Sequence, residues 1–350
     1  MKRHYLALDG LRGVAAIIVM LYHRRYWSSD GLPFEHAGLA VDFFFMLSGY
    51  VISLAYEKKI FDGMGFMRFI AIRLARLGPM LLLGALLGIG YNGALALKHK
   101  YHFGWHEGLA MMLSLFALPT PFPAAFFPAT AFPVNGPSWS LFFELVANAV
   151  FALLLPKLRG LLLGILISVP LVWLACAVAE FGTIQNFGNA YGQTWIGLPR
   201  VLFPFFIGMV LCRWDTKFKL PPISGGFWIA AVLLVGSFML GVPKEFAGWY
   251  EIFCIAVVCP LVIVIGANSI LSVPGGQWAA WFDKISYPVY ILHIPLLNWF
   301  EGITGLHSLH SLLLAGILII IASQFAITCW DEPIRRHLDI FIKARWSKFP

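Results

Sequence analysis

The chain has 350 residues, 60% of them hydrophobic and 12% charged, with a mean hydropathy of +0.80 and a formal net charge of +8. So few charges cannot cover a water-soluble surface of this size, so the composition excludes a soluble globule and predicts an all-α, polytopic membrane protein. The positive balance calls for no nucleic-acid partner, because it is explained by where the cations fall relative to a membrane.

Taken in chain order, the first apolar stretch, Asp9 to His23, reads DGLRGVAAIIVMLYH. Lys2 and Arg3 precede it as in a signal peptide, but no small-residue cleavage site follows, so it reads as a retained signal-anchor helix. Arg12 and His23 lie eleven residues apart, three turns plus about 20°, which puts them on one face and some 16 Å apart. Ionisable groups in such a helix cost about 2.5–3.5 kcal/mol on insertion scales and are functional candidates by default. Asp9 lies one turn before Arg12 and can serve simply as its partner.

Ten segments are apolar enough to span: residues 9–25, 38–56, 77–97, 138–155, 160–179, 199–212, 225–242, 249–268, 285–300 and 312–331. Ten crossings put both termini on one side. With that side cytoplasmic, all but six of the 25 lysines and arginines fall inside, the six being Arg24, Arg25, Lys98, Lys100, Arg200 and Lys244. Residues 104–118 are apolar but have no place in this alternation, and are expected to lie in the outer interface or re-enter the membrane. The run 119–137 (PTPFPAAFFPATAFPVNGP) has too many prolines for a regular helix and is expected to cap an outer pocket. The five cysteines show neither metal-type nor redox spacing, so no metal site or disulfide framework is expected.

Two constellations carry possible chemistry. At the outer end stand His23, Asp42 in GLAVDFFFMLSGY, and Glu144 in SWSLFFE, each within roughly two 5.4 Å turns of the surface. A histidine beside a carboxylate suits general-base activation of a hydroxyl, and Ser140 shares a helix face with Glu144. At the inner end Arg68, Arg73 and Arg76 lead into the third span beside Arg12, and guanidinium forks recognise phosphate. Plain interhelical pairing at the outer end, and lipid head groups or topology signalling at the inner end, are the alternatives. In the ninth span Ser286, Tyr290 and His293 lie along SYPVYILHIP, either lining a passage between the ends or closing a hydrogen bond between helices.

The ordered set LDGLRG with His23, GLAVDFFFMLSGY, Arg73 and Arg76 ahead of Pro79, SWSLFFE, SYPVYILHIP and WDEPIRR resembles the acyltransferase-3 family of membrane O-acyltransferases, from about residue 8 to about 336. The resemblance implies one transmembrane acyltransferase domain, here over 1–350; many members of the family append a soluble domain after it, and none is expected in this sequence. It also implies transfer of an acyl group, commonly acetyl, from cytoplasmic acetyl-CoA to a hydroxyl of an extracytoplasmic or lipid-linked saccharide, as in polysaccharide O-acetylation. Carried over residue by residue, the family's arginine-to-histidine motif falls on Arg12 and His23, its third-helix arginines on Arg73 and Arg76, and its tryptophan-serine-glutamate motif on Trp139, Ser140 and Glu144. On this reading Arg12, Arg73 and Arg76 hold the CoA phosphates. His23 is the base, or hands on the acyl group if a covalent step exists. Asp42 or Glu144 orients it, and Trp139 stacks on a sugar, with Ser140, Tyr290 and His293 along the substrate path. A transporter or flippase for an acylated or lipid-linked sugar is the competing class, since it also carries intramembrane charges, although neither a repeat nor matched broken helices are present.

Overall fold

A computed structural model of the chain describes residues 5–23, 34–99, 104–124, 129–218, 220–306 and 309–346. Of the cations used to orient the chain, Lys2, Arg3, Arg24, Arg25, Lys100, Lys219 and Lys348 lie outside the described residues.

The chain is helical almost throughout: α1 Leu6–His23, α2 Leu39–Phe61, α3 Phe66–His99, α4 Trp105–Ser114, α5 Ser138–Leu154, α6 Gly160–Phe181, α7 Gly197–Phe218, α8 Gly226–Met239, α9 Ala247–Phe253, α10 Cys259–Ala267, α11 Val273–Thr304, α12 Leu309–Ala326 and α13 Glu332–Arg345. Two two-residue strands, Ile223–Ser224 and Ser269–Ile270, pair in parallel beside α8 and α10. Among the described residues, eight helical segments are long and apolar enough to cross a membrane. The ten expected spans differ from these at two places. The helix α8 has 14 residues, about 21 Å, short of a hydrocarbon core of about 30 Å. The helix α11 is long, at 32 residues, but its polar side chains and two internal prolines keep its hydropathy low. At ten residues, α4 is too short to cross, in line with its lack of a place in the alternation.

Prolines account for the local departures from α geometry. A wide turn at Cys254–Val258 precedes Pro260 in α10, and a second, at Ile327–Asp331, precedes Pro333 in α13. A proline has no N–H for the carbonyl four residues back, so the register slips to the next donor. Pro295 likewise leaves the Ile291 carbonyl of α11 without its helical partner. Asn135, from the proline-rich segment, donates to that carbonyl through Nδ2 at 3.0 Å and so ties this segment to α11.

Two helix pairs set the frame. Helices α1 and α11 run parallel, joined by Arg12–Asp283 at one end and His23–His293 at the other. Their approach is so close that a Cβ on Gly13 would sit 2.4 Å from the Cβ of Phe282. Helices α2 and α7 are also parallel, tied by Asp42–Arg200 and by Glu57–Arg213, and a Cβ on Gly208 would meet the Met46 carbonyl oxygen at 1.9 Å. Parallel pairs follow from the span order, in which α1 and α11 are both odd crossings and α2 and α7 both even. Between them lies a core of phenylalanines, among them Phe43, Phe45, Phe143, Phe151, Phe205 and Phe206. The outer faces of α6, α8 and α12 remain bare, with Leu161, Val172, Trp228, Val232, Ile317 and Phe325 exposed, as lipid contact requires.

Candidate functional site

The parallel register of α1 and α11 places two very different polar clusters about 16 Å apart on one seam. At the arginine end, Arg12 Nη1 lies 3.5 Å from Asp283 Oδ1. From α3, Arg73 Nη2 donates to Glu144 Oε1 of α5 at 3.1 Å, and the Ser48 hydroxyl of α2 donates to the same oxygen at 2.7 Å. Across from them Lys284 pairs with Glu332 at 2.7 Å and Arg335 with Asp331 at 3.1 Å. These groups line a cavity of about 310 Å³ together with Arg76, Tyr287 and Leu77. Among the described residues, four of its five cations are thus matched one to one with its four carboxylates, and Arg76 has no ion pair. The buried Nε of Arg73 is without a hydrogen-bond partner as well. Unmatched donors held this close together favour an anion, and phosphate oxygens fit the guanidinium fork.

The cavity narrows toward the other end. Arg12, Leu77, Glu144 and Tyr287 also border a smaller space of about 30 Å³ whose far side is formed by Phe44, Ser140 and Tyr290. There the Ser140 and Tyr290 hydroxyls are 2.8 Å apart, and Ser140 is also bonded to the Pro137 carbonyl at 3.0 Å. One turn further along α11 is His293, its ring centroid 5.9 Å from that of Tyr290.

The two imidazoles form a chain whose tautomers follow from its ends. His293 Nδ1 lies 2.6 Å from the Tyr290 carbonyl, which can only accept, so Nδ1 carries the proton and Nε2 the lone pair. That Nε2 is 3.2 Å from His23 Nδ1, which is also 2.9 Å from the Val19 carbonyl. Both acceptors demand a proton on His23 Nδ1, which leaves His23 Nε2 as the free base.

The acyltransferase domain family, acyltransferase-3, matches this sequence over residues 5–329. The chain belongs to that family. Three curated relatives agree with the placement. "Protein 2 in picA locus" of Rhizobium radiobacter is 35% identical over 51% of this chain and 96% of its own length. "Exopolysaccharide production protein ExoZ" of Rhizobium meliloti is 26% identical over 91% of this chain and 95% of its own. BcsY of Komagataeibacter xylinus, whose name carries the words membrane-bound transacylase, is 28% identical over 90% of this chain and 78% of its own. No solved structure matches. The protein is therefore a multi-pass membrane acyltransferase.

Several placements in this acyltransferase correct the expectations from sequence. Glu144 stands six residues into α5 and faces the arginine cavity, not His23, because Arg73 and Ser48 hold it there. Asp42 is also taken: Arg200 Nε and Nη2 each reach it at 2.9 Å, in a pair that is 1% exposed or less on either side. The same guanidinium bonds the carbonyls of Ile184 and Phe187, at 2.7 and 3.1 Å, and so pins the loop after α6 to α2 and α7. Trp139 is buried under Arg200, whose guanidinium carbon lies 5.0 Å from the ring, and between Phe45 and Phe143, so no face is open to a sugar. His23 is held by His293 in place of a carboxylate. Arg12, Arg73 and Arg76 are together as expected, whereas Arg68 does not line the cavity. Sequence reasoning missed Asp283, Lys284, Asp331, Glu332 and Arg335 as members of this cluster. Asp283 was detectable as a carboxylate one turn before Ser286 and Tyr287, Lys284 stands beside it, and the WDEPIRR run carried Asp331, Glu332 and Arg335.

Proposed function

We propose that this acyltransferase moves a short acyl group, acetyl above all, from cytoplasmic acyl-CoA to a hydroxyl of an extracytoplasmic saccharide. The observation that carries the reading is the unpaired Arg76 in a cation-lined cavity that narrows to a space bounded by Ser140 and Tyr290, one turn of α11 short of His293. Arg76, with Arg73 Nε and Arg12, holds phosphate oxygens of the donor. A cavity of about 310 Å³ sits at the small end of ligand sites, so it takes the phosphate-bearing part of CoA and not the whole molecule. The narrow section, about 30 Å³, favours a short acyl chain.

His23 Nε2 removes the proton from the acceptor hydroxyl as its oxygen attacks the thioester carbonyl. The C–S bond breaks as the new C–O ester bond forms, and the proton on the imidazole passes to the departing thiolate. His293 keeps His23 in the productive tautomer and accepts from its Nδ1–H while the ring is charged. ExoZ's naming for exopolysaccharide production supports a saccharide acceptor for this chain too. The test is reconstitution in nanodiscs with acetyl-labelled CoA and alkali-deacylated exopolysaccharide from the producing strain. Label is expected to move onto the saccharide with release of CoA; an intact thioester alongside unlabelled saccharide would refute the reading.

A further inference from the structure

A third histidine, which plays no part in the transfer just described, is held in the kind of geometry that prepares an imidazole to meet a hydroxyl. His36, just ahead of α2, places Nδ1 3.0 Å from Glu251 Oε1 of α9. Glu251 is fully buried and held from other directions. The Thr183 hydroxyl and the Ile184 N–H donate to Oε2, both at 2.9 Å, and the Gln185 amide reaches Oε1 at 3.2 Å. A carboxylate so held accepts the Nδ1 proton, which leaves Nε2 of His36 with its lone pair. That Nε2 has no hydrogen-bond partner among the described residues, although His36 is only 3% exposed.

His36 lines a cavity of about 420 Å³, together with Tyr22, Thr183, Gln185, Phe181 and Lys244. The cavity sits where α1, α6 and α8 end and α2 begins, at the same end of the bundle as His23. It is also wired to the seam, since the Tyr22 hydroxyl donates to Gln185 Oε1 at 2.9 Å and the Tyr22 ring stands edge-on to His23 at 5.4 Å. A buried imidazole nitrogen, an amide, an ammonium group and aromatic rings around one open cavity are a lining suited to a polyhydroxylated ligand.

We infer that this cavity is the acceptor-saccharide site, in which His36 Nε2 accepts a hydrogen bond from a sugar hydroxyl and so determines which hydroxyl is delivered toward His23. The inference rests on the saccharide reading above. It is tested in nanodiscs with alkali-deacylated exopolysaccharide of the producing strain as acceptor and acetyl-CoA as donor, comparing wild type with His36→Phe, His36→Gln and Ala247→Trp. Ala247 lines the cavity one turn before Glu251 in α9, so its replacement fills the space without removing either member of the His36–Glu251 pair. For His36→Phe and Ala247→Trp the KM for the saccharide is expected to rise at least tenfold, with the KM for acetyl-CoA within twofold of wild type. His36→Gln, which keeps a polar acceptor, is expected to recover most of the difference. Saccharide KM values within twofold of wild type in both His36→Phe and Ala247→Trp would overturn the assignment. A parallel loss of melting temperature and acetyl-CoA affinity in those variants would overturn it too, in favour of a structural dyad. Failure of the wild type to acylate the saccharide would defeat the transferase reading first, and this one with it.

Discussion

The two ends of the α1–α11 seam use opposite physical devices. At the arginine end, charge is abundant and almost balanced, with Arg12–Asp283, Arg73–Glu144, Lys284–Glu332 and Arg335–Asp331 paired and Arg76 left over. At the histidine end no carboxylate bonds the His23–His293 pair among the described residues, and backbone carbonyls of Val19 and Tyr290 set the protonation instead. The difference matches what each end has to do on the proposed reading. Holding a polyanion in a membrane needs a net cation kept in place by paired neighbours, which position the guanidinium groups at little cost in unpaired charge. Moving a proton needs an imidazole with one free nitrogen, and a backbone carbonyl selects the tautomer as well as an aspartate does.

That contrast can be broken in five places, in order of decreasing effect. His23→Ala removes the free base and is expected to lower turnover by about 10²–10⁴-fold with CoA affinity unchanged. Turnover within tenfold of wild type in reconstituted protein would end its role as the base. Arg76→Ala is expected to weaken CoA binding by about 10–100-fold, the worth of a charged hydrogen bond of about 1.5–3 kcal/mol, measured by equilibrium binding. Arg12→Ala should weaken it less, because Arg12 already shares its charge with Asp283, so equal losses would erase the distinction drawn for Arg76. His293→Ala leaves His23 with the Val19 carbonyl as its Nδ1 acceptor, and turnover is expected to fall about tenfold, well short of the lower limit for losing the base itself. An effect as large as that of His23→Ala would make His293 a direct participant. Trp139→Phe conserves an aromatic ring under Arg200, and the saccharide KM is expected to stay within twofold; a tenfold rise would restore the stacking role that burial denies it.

The arginine cluster was readable from sequence in part, because Arg73 and Arg76 are one turn apart in one helix and Arg12 shares their side of the membrane. Its compensating acids were harder to see. Asp283 is 271 residues from Arg12 and Glu144 is 71 from Arg73, and hydropathy places Glu144 by its distance from the end of a helix, not by what it faces. The histidine end misled for the same reason. Depth alone put His23, Asp42 and Glu144 in one group, whereas Arg200, taken as an outer topology charge, turns inward and occupies Asp42 completely. The His36–Glu251 dyad, 215 residues apart in the chain, left no local signal at all.

The sequence by itself determined the membrane class, nearly all the crossings, the parallel sense of α1 and α11 and the shared face of Arg12 and His23. Each of these follows from hydropathy, charge bias and the helical period, which act over a turn or over one span. Tertiary structure alone decided which carboxylate each arginine takes, that a second imidazole and not an acid holds His23, and that Trp139 is sealed inside the core. Those choices depend on which helices touch and at what rotation, and that is settled by packing between segments far apart in the chain, as where Gly13 admits Phe282 and Gly208 admits the backbone of α2.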